Sequence, residues 1–129
     1  MQLSKSKVNP NLKRQIHNLL YQVIADIKDT KEAKEFVESF LTKTEVDMAS
    51  RRLGIAYYLS KGRTYANIKN NLAVSSATVS SIAEQMRAQK GTQIALNKIN
   101  ANEWADKWAE KISKLVKGMG NKSKGGSRS

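Results

Sequence analysis

Apolar residues in this chain recur at steps of three and four, and no segment alternates apolar and polar residues as a strand would. The clearest run is Leu12, Ile16, Leu19, Leu20, Val23, Ile24 and Ile27. At 3.6 residues per turn these fall on one stripe of a helix. Asn9-Pro10 stands before it, and Pro10 is the only proline of the 129 residues. Asn caps the first unpaired N–H groups, and a proline at the first helical position loses no hydrogen bond. A helix is therefore predicted over 9–28. One proline and 7 glycines are too few for the turns of a β sandwich. The fold class is all-α.

Later starts and stops are written in the same way. Thr30 can cap a shorter helix carrying Ala33, Phe36, Val37, Phe40 and Leu41. Thr42 and Glu45 have capping-box spacing, so a third helix is predicted from about 43. Its apolar set is Val46, Ala49, Leu53, Ala56 and Leu59, widened by Met48, Ile55 and Tyr57, and Lys61-Gly62 closes it. Two short helices, 64–72 and 76–90, follow on either side of Ala73-Val74-Ser75. Gly91 should break the pattern, with a further turn or two in 92–99. Asn100 and Glu103 then have N-cap and N3 spacing for a last helix over 101–117. It carries Trp104, Trp108, Ile112, Leu115 and Val116 on one face. The expected organisation is a flexible arm (1–8), one helical domain (9–117) and a disordered basic tail (118–129).

Charge narrows the function. Lys and Arg number 23 against 11 Asp and Glu, giving +12 at pH 7. Such a balance points to a polyanionic partner, nucleic acid or an anionic membrane surface. Residues 61–90 hold 5 basic side chains and 1 acid. Between Asp47 and Glu84 there is no acid, while Arg51, Arg52, Lys61, Arg63 and Lys69 fall inside. A surface facing phosphates needs such a gap, since each acid there would oppose binding. The chain has no cysteine and 1 histidine, His17, so thiol catalysis and Cys- or His-based metal sites are not expected. No glycine-rich phosphate loop and no set of acid, base and nucleophile is written, so neither an enzyme nor a cofactor is expected. No apolar run approaches membrane-spanning length. A cytoplasmic, nucleoid-associated protein is the expectation.

The informative segment is 62–86, GRTYANIKNNLAVSSATVSSIAEQM. Two short helices joined by a tight turn make a helix-turn-helix, here over about 64–90. Tyr65, Ile68 and Leu72 are the inward positions of its first helix. Val74 plugs the turn, and Val79, Ile82 and Met86 point inward from the second. That packing sets the second helix at a steep angle, able to enter a major groove about 12 Å wide. Ser75 caps the second helix, and short side chains at Ser76, Ala77 and Thr78 allow close approach to a duplex. Its exposed face continues through Ser80, Ser81, Gln85 and Arg87. Only Gln85 and Arg87 can make the bidentate contacts that discriminate bases strongly. Together with Arg51, Arg52, Arg63, Thr64 and Lys69, these form the candidate DNA-binding set. Affinity is expected mainly from phosphate contacts and shape.

These residues carry a resemblance. Residues 36–45 (FVESFLTKTE), Arg52-Leu53-Gly54-Ile55-Ala56 before Leu59, Gly62-Arg63-Thr64-Tyr65 with Ile68, and Ala77-Thr78-Val79-Ser80 resemble the Trp repressor-like family of bacterial regulators. The likeness is to its YerC/YecD branch and spans about 16–86. The resemblance implies an all-helical, intertwined homodimer whose helix-turn-helix units bind DNA to regulate transcription. It also places Arg52 at one of two arginines that hold an amino-acid corepressor. The other would follow Ser80, where this chain has Ser81. Losing that charge and its fork of donors argues against tryptophan as corepressor and weakens base readout.

The expected partners are double-stranded DNA and a second copy, paired through helices 9–28 and 101–117. Two reading units about one helical turn of DNA apart double the contacts and impose a palindromic site. Trp104 and Trp108 then belong to the core or the dimer interface, with a ligand cage or membrane-facing role as the alternative. Arg52 either lines the groove or pairs with Glu45 or another acid. Lys122, Lys124 and Arg128 either solubilise the tail or add nonspecific phosphate attraction. Two further readings are a helical protein-interaction or architectural module and a basic RNA-binding protein. Tyr65 is the only aromatic in 61–90 and leaves no stacking platform for RNA.

Overall fold

The computed structural model describes residues 3 and 5–123. It holds six helices in chain order: α1 (Pro10–Asp26), α2 (Thr30–Phe40), α3 (Lys43–Ser60), α4 (Tyr65–Leu72), α5 (Ser76–Ala88) and α6 (Lys90–Ser123). No strand occurs among the described residues, so the all-α expectation stands. Residues group into two compact units, Met1–Asp47 and Met48–Ser129.

In the first unit the capping chemistry sets the helix bounds. The Asn9 side chain accepts from the Asn11 and Leu12 N–H groups, and Pro10 opens α1 as expected. The cap of α2 is Asp29 rather than Thr30. Its carboxylate accepts from Glu32 N–H at 2.8 Å, while Glu32 reaches back to Lys28 N–H at 2.9 Å. A charged acceptor outcompetes a hydroxyl one residue along. Thr42 and Glu45 form the reciprocal box expected of them, at 2.8 and 3.1 Å. The two Thr42 bonds hold the Glu45 carboxyl below its ordinary value, the backbone N–H contributing most. No residue of α1 or α2 is buried.

The second unit holds the core. Ile55 and Ala56 of α3, Ile68 of α4, Val79 and Ile82 of α5 and Leu96 of α6 cluster together, with Tyr57, Tyr58, Leu59, Leu72, Val74 and Met86 packed around them. Three sequence expectations change here. Ile55, assigned to the margin of the α3 face, is fully buried, while Leu53 and Met48 are exposed. Tyr65 is 44% exposed rather than inward. It is the first residue of α4, one turn ahead of the position that Ile68 buries.

The third change concerns Gly91, which breaks nothing. The interruption falls at Gln89, whose extended backbone (φ −122°, ψ 127°) ends α5. Gly91 then lies in the first turn of α6, where a missing side chain disturbs little. Expected as a turn or two plus a separate helix over 101–117, this region is one helix of 34 residues. Leu96 thereby becomes core, and α6 continues past Lys117 to Ser123. The part of the expected basic tail from 124 onward, with Lys124 and Arg128, lies outside the described residues.

Candidate nucleic-acid interface

The α4–α5 pair is set by its caps and its turn. Thr64 accepts from Asn67 N–H at 3.1 Å, and Ser75 accepts from Thr78 N–H at 3.1 Å, with the Ser75 and Thr78 hydroxyls 2.9 Å apart. Between the helices Ala73 adopts the left-handed conformation (φ 52°, ψ 51°). An L-residue is disfavoured there, so the turn needs outside support. Arg51 supplies some of it. Its guanidinium donates to the Ala73 carbonyl at 3.1 Å across 22 residues of sequence. Grouped by sequence with the DNA-facing arginines, Arg51 braces the turn between α4 and α5.

With Val79, Ile82 and Ala83 buried, the opposite face of α5 is turned outward. Ser76, Ala77, Thr78, Ser80 and Ser81 are exposed, and Gln85 is half-buried. No acid stands among residues 76–83. Arg87 is exposed but lies 3.2 Å from Glu84, an ion pair with both partners largely in solvent and of small energetic weight. Lys69 is exposed on the last turn of α4. Arg52 is exposed at a shallow hollow shared with Ala77, Thr78, Ser81, Ile82 and Gln85. An adjoining hollow of about 230 Å³ is also lined by Arg52, with Leu53, Ala56, Gln89 and Thr92. The two positions that the resemblance links to a corepressor thus share one hollow, one guanidinium against one hydroxymethyl group.

Arg63 stands at the amino end of α4. Its guanidinium carbon is 4.1 Å from the Tyr58 ring centroid, and one of its nitrogens donates to Asn67 Oδ1 at 3.2 Å. Neither Tyr58 nor Asn67 stood out in the sequence, where only the adjacency of two tyrosines to Lys61-Gly62-Arg63 hinted at such contacts. A second cluster was equally unannounced. The Tyr57 hydroxyl donates to Glu103, and Lys61 Nζ lies 3.2 Å from the same carboxylate. The hydroxyl bond first, and Lys61 second, hold the Glu103 carboxyl below its ordinary value, and the Tyr57 hydroxyl is pushed up. By its spacing from Asn100, Glu103 is expected to be an N3 residue starting a helix, but it lies within α6. There it ties α6 to α3.

Among the described residues no group of His, Asp and Glu could hold a metal ion, and no helix is long and apolar enough to cross a membrane.

The geometry has relatives. The family described as "Trp repressor protein" matches residues 15–99, from within α1 to the first third of α6. The uncharacterized protein YerC of Bacillus subtilis (strain 168) is 27% identical over 85 residues, 65% of this chain and 82% of that protein. The crystal structure of a TrpR-like protein from Eubacterium eligens ATCC 27750 is similar with a TM-score of 0.64 and 30% identity. That match covers 71% of this chain and 96% of the other. The matched span contains α3, α4 and α5 and every buried residue of their core, Leu96 of α6 included. This chain belongs to the Trp repressor family.

Proposed function

We propose that the protein is a DNA-binding transcriptional regulator that acts as a homodimer and docks α5 in the major groove. The observation that carries this reading is the outward face of α5. Ser76, Ala77, Thr78, Ser80 and Ser81 offer small side chains and no acid, on a helix whose other face is locked into the core. A backbone so thinly covered can approach a duplex closely, and Arg52, Arg63 and Lys69 lie in the acid-free stretch beside it. The small polar face favours phosphate contacts and shape over strong base readout.

Dimerisation rests on the apolar side chains that are exposed among the described residues, on α1 and on residues 101–117 of α6. Tryptophan is not the corepressor in this reading. The hollow beside Arg52 presents Ser81 where a second guanidinium would be needed to hold a carboxylate or stack on an indole. A regulator of this kind works in the cytoplasm, at the nucleoid.

Fluorescence anisotropy with duplex DNA selected by the protein from a random pool tests the reading. Wild type should bind in the nanomolar range, and Thr78→Glu should lose binding while helicity and dimer size are unchanged. A wild type that ignores duplex DNA even at low salt would falsify it.

A further inference from the structure

Two cations flank Gly62, and their partners differ. Lys61 lies 3.2 Å from the Glu103 carboxylate and 5.4 Å from the Tyr57 ring centroid, so an acid already answers its charge. Arg63 pairs with no carboxylate among the described residues. Its guanidinium rests instead on the Tyr58 ring, 4.1 Å from the centroid, with one edge held by Asn67. Tyr58 is half-buried and packed against the core, so the ring is a fixed platform. The backbone between the two residues is equally constrained. Arg63 N–H donates to the Tyr58 carbonyl at 3.1 Å, and Gly62 takes a positive φ of 79° that closes the turn.

A guanidinium has five donors in a planar fork and is always charged. Stacked by its face and held by one edge, it keeps its remaining edge for an anion. Because the side chain is already ordered, less conformational entropy is lost when the anion arrives. The neighbouring N–H groups at the start of α4 carry a partial positive charge of their own. Tyr58, Arg63 and Asn67 all lie in the stretch without acids that contains α4 and most of α5.

We infer that Tyr58 is a positioning residue for nucleic-acid binding: its ring presets the Arg63 guanidinium at the amino end of α4 as a clamp on a DNA phosphate. The inference rests on the DNA-binding reading above. It assigns Arg63 to backbone affinity rather than to sequence choice, and gives Tyr58 a role no base contact would require.

The test is anisotropy with random-sequence duplex DNA across a salt series, since a phosphate contact does not depend on sequence. Arg63→Gln should lower the slope of log affinity against log salt by about one per protomer. Tyr58→Leu should weaken binding at fixed salt by about two- to fivefold, and Tyr58→Phe, which keeps the ring, should bind like wild type. In an Arg63→Gln background Tyr58→Leu should add nothing. An unchanged salt slope in Arg63→Gln overturns the inference. So does a Tyr58→Leu loss of equal size with and without Arg63, which would mark a purely structural effect. Circular dichroism accompanies each variant. Should Tyr58→Leu lose helicity, Arg63→Lys at the exposed position decides. The slope should stay while affinity falls about twofold, and equal affinity overturns the inference. Wild type that fails to bind any duplex at low salt sinks the regulator reading itself, a separate outcome.

Discussion

The helix-turn-helix core and α1 use the same materials to opposite ends. Both present aliphatic side chains at steps of three and four. Around α4 and α5 those side chains vanish from solvent, Ile55, Ile68 and Val79 completely. On α1 none is buried, and Leu19 remains 66% exposed. The far half of α6 repeats the α1 case, with Trp104 63% and Trp108 46% exposed and Ile112, Leu115 and Val116 beside them. Amphipathic spacing therefore states that a face seeks cover without saying where the cover comes from. Near α4 it comes from neighbouring helices within the same unit. On α1 and on residues 101–117 the described residues leave such side chains exposed, and patches of that kind mark interaction surfaces. The second copy proposed above would supply the cover.

Substitution at matched positions breaks or sharpens this contrast. Ile68→Ala should destabilise the protein by about 2–5 kcal/mol at every protein concentration, read from urea unfolding. Leu19→Ala should do so only where the dimer forms, its effect fading on dilution. If the two variants lose equal stability at the lowest concentration measured, α1 is covered within the chain and the contrast fails.

Smaller effects probe the turn that orients α5. Ser75→Ala removes a cap and should lower stability by about 1 kcal/mol. Two residues earlier the sign reverses. Ala73→Gly relieves a left-handed alanine and should raise stability by up to about 1 kcal/mol, the gain offset in part by the freedom of glycine when unfolded. Thermal unfolding of the two variants side by side checks the opposite signs.

The smallest expected effect is on pH. The folded Glu103 carboxyl is held below its ordinary value by Tyr57 and Lys61. Its contribution is then fully present above the unfolded carboxylate value and lost as pH falls through the lowered folded value. Tryptophan emission from neighbouring Trp104 should therefore show an acid transition in wild type that Glu103→Gln lacks. An identical titration in both proteins would break the tie between α6 and α3.

Much of the fold was legible because helix signals are local. Asn9-Pro10, the Thr42–Glu45 box, Gly62 and the Ser75 cap each act within four residues, and the structure places helix ends at all of them. The exposed face of α5 was legible for the same reason, since Val79 and Ile82 define which side turns inward. Gly91 misled because a glycine weakens a helix interior but is tolerated in a first turn, and the sequence alone did not show which applied.

What the sequence determined by itself was the all-α class, the caps of α1, α3 and α5, the position of the helix pair and the acid-free stretch around it. Tertiary structure alone decided which apolar stripes are covered and which cations are committed. Arg51 reaches Ala73 across 22 residues, and Tyr57 reaches Glu103 across 46. Periodicity constrains residues within a turn or two of each other, whereas these contacts depend on how whole helices cross. So the sequence could say that arginines gather near a reading helix. Only the packed helices separate Arg51, which braces the turn, from Arg63, which is stacked on the Tyr58 ring.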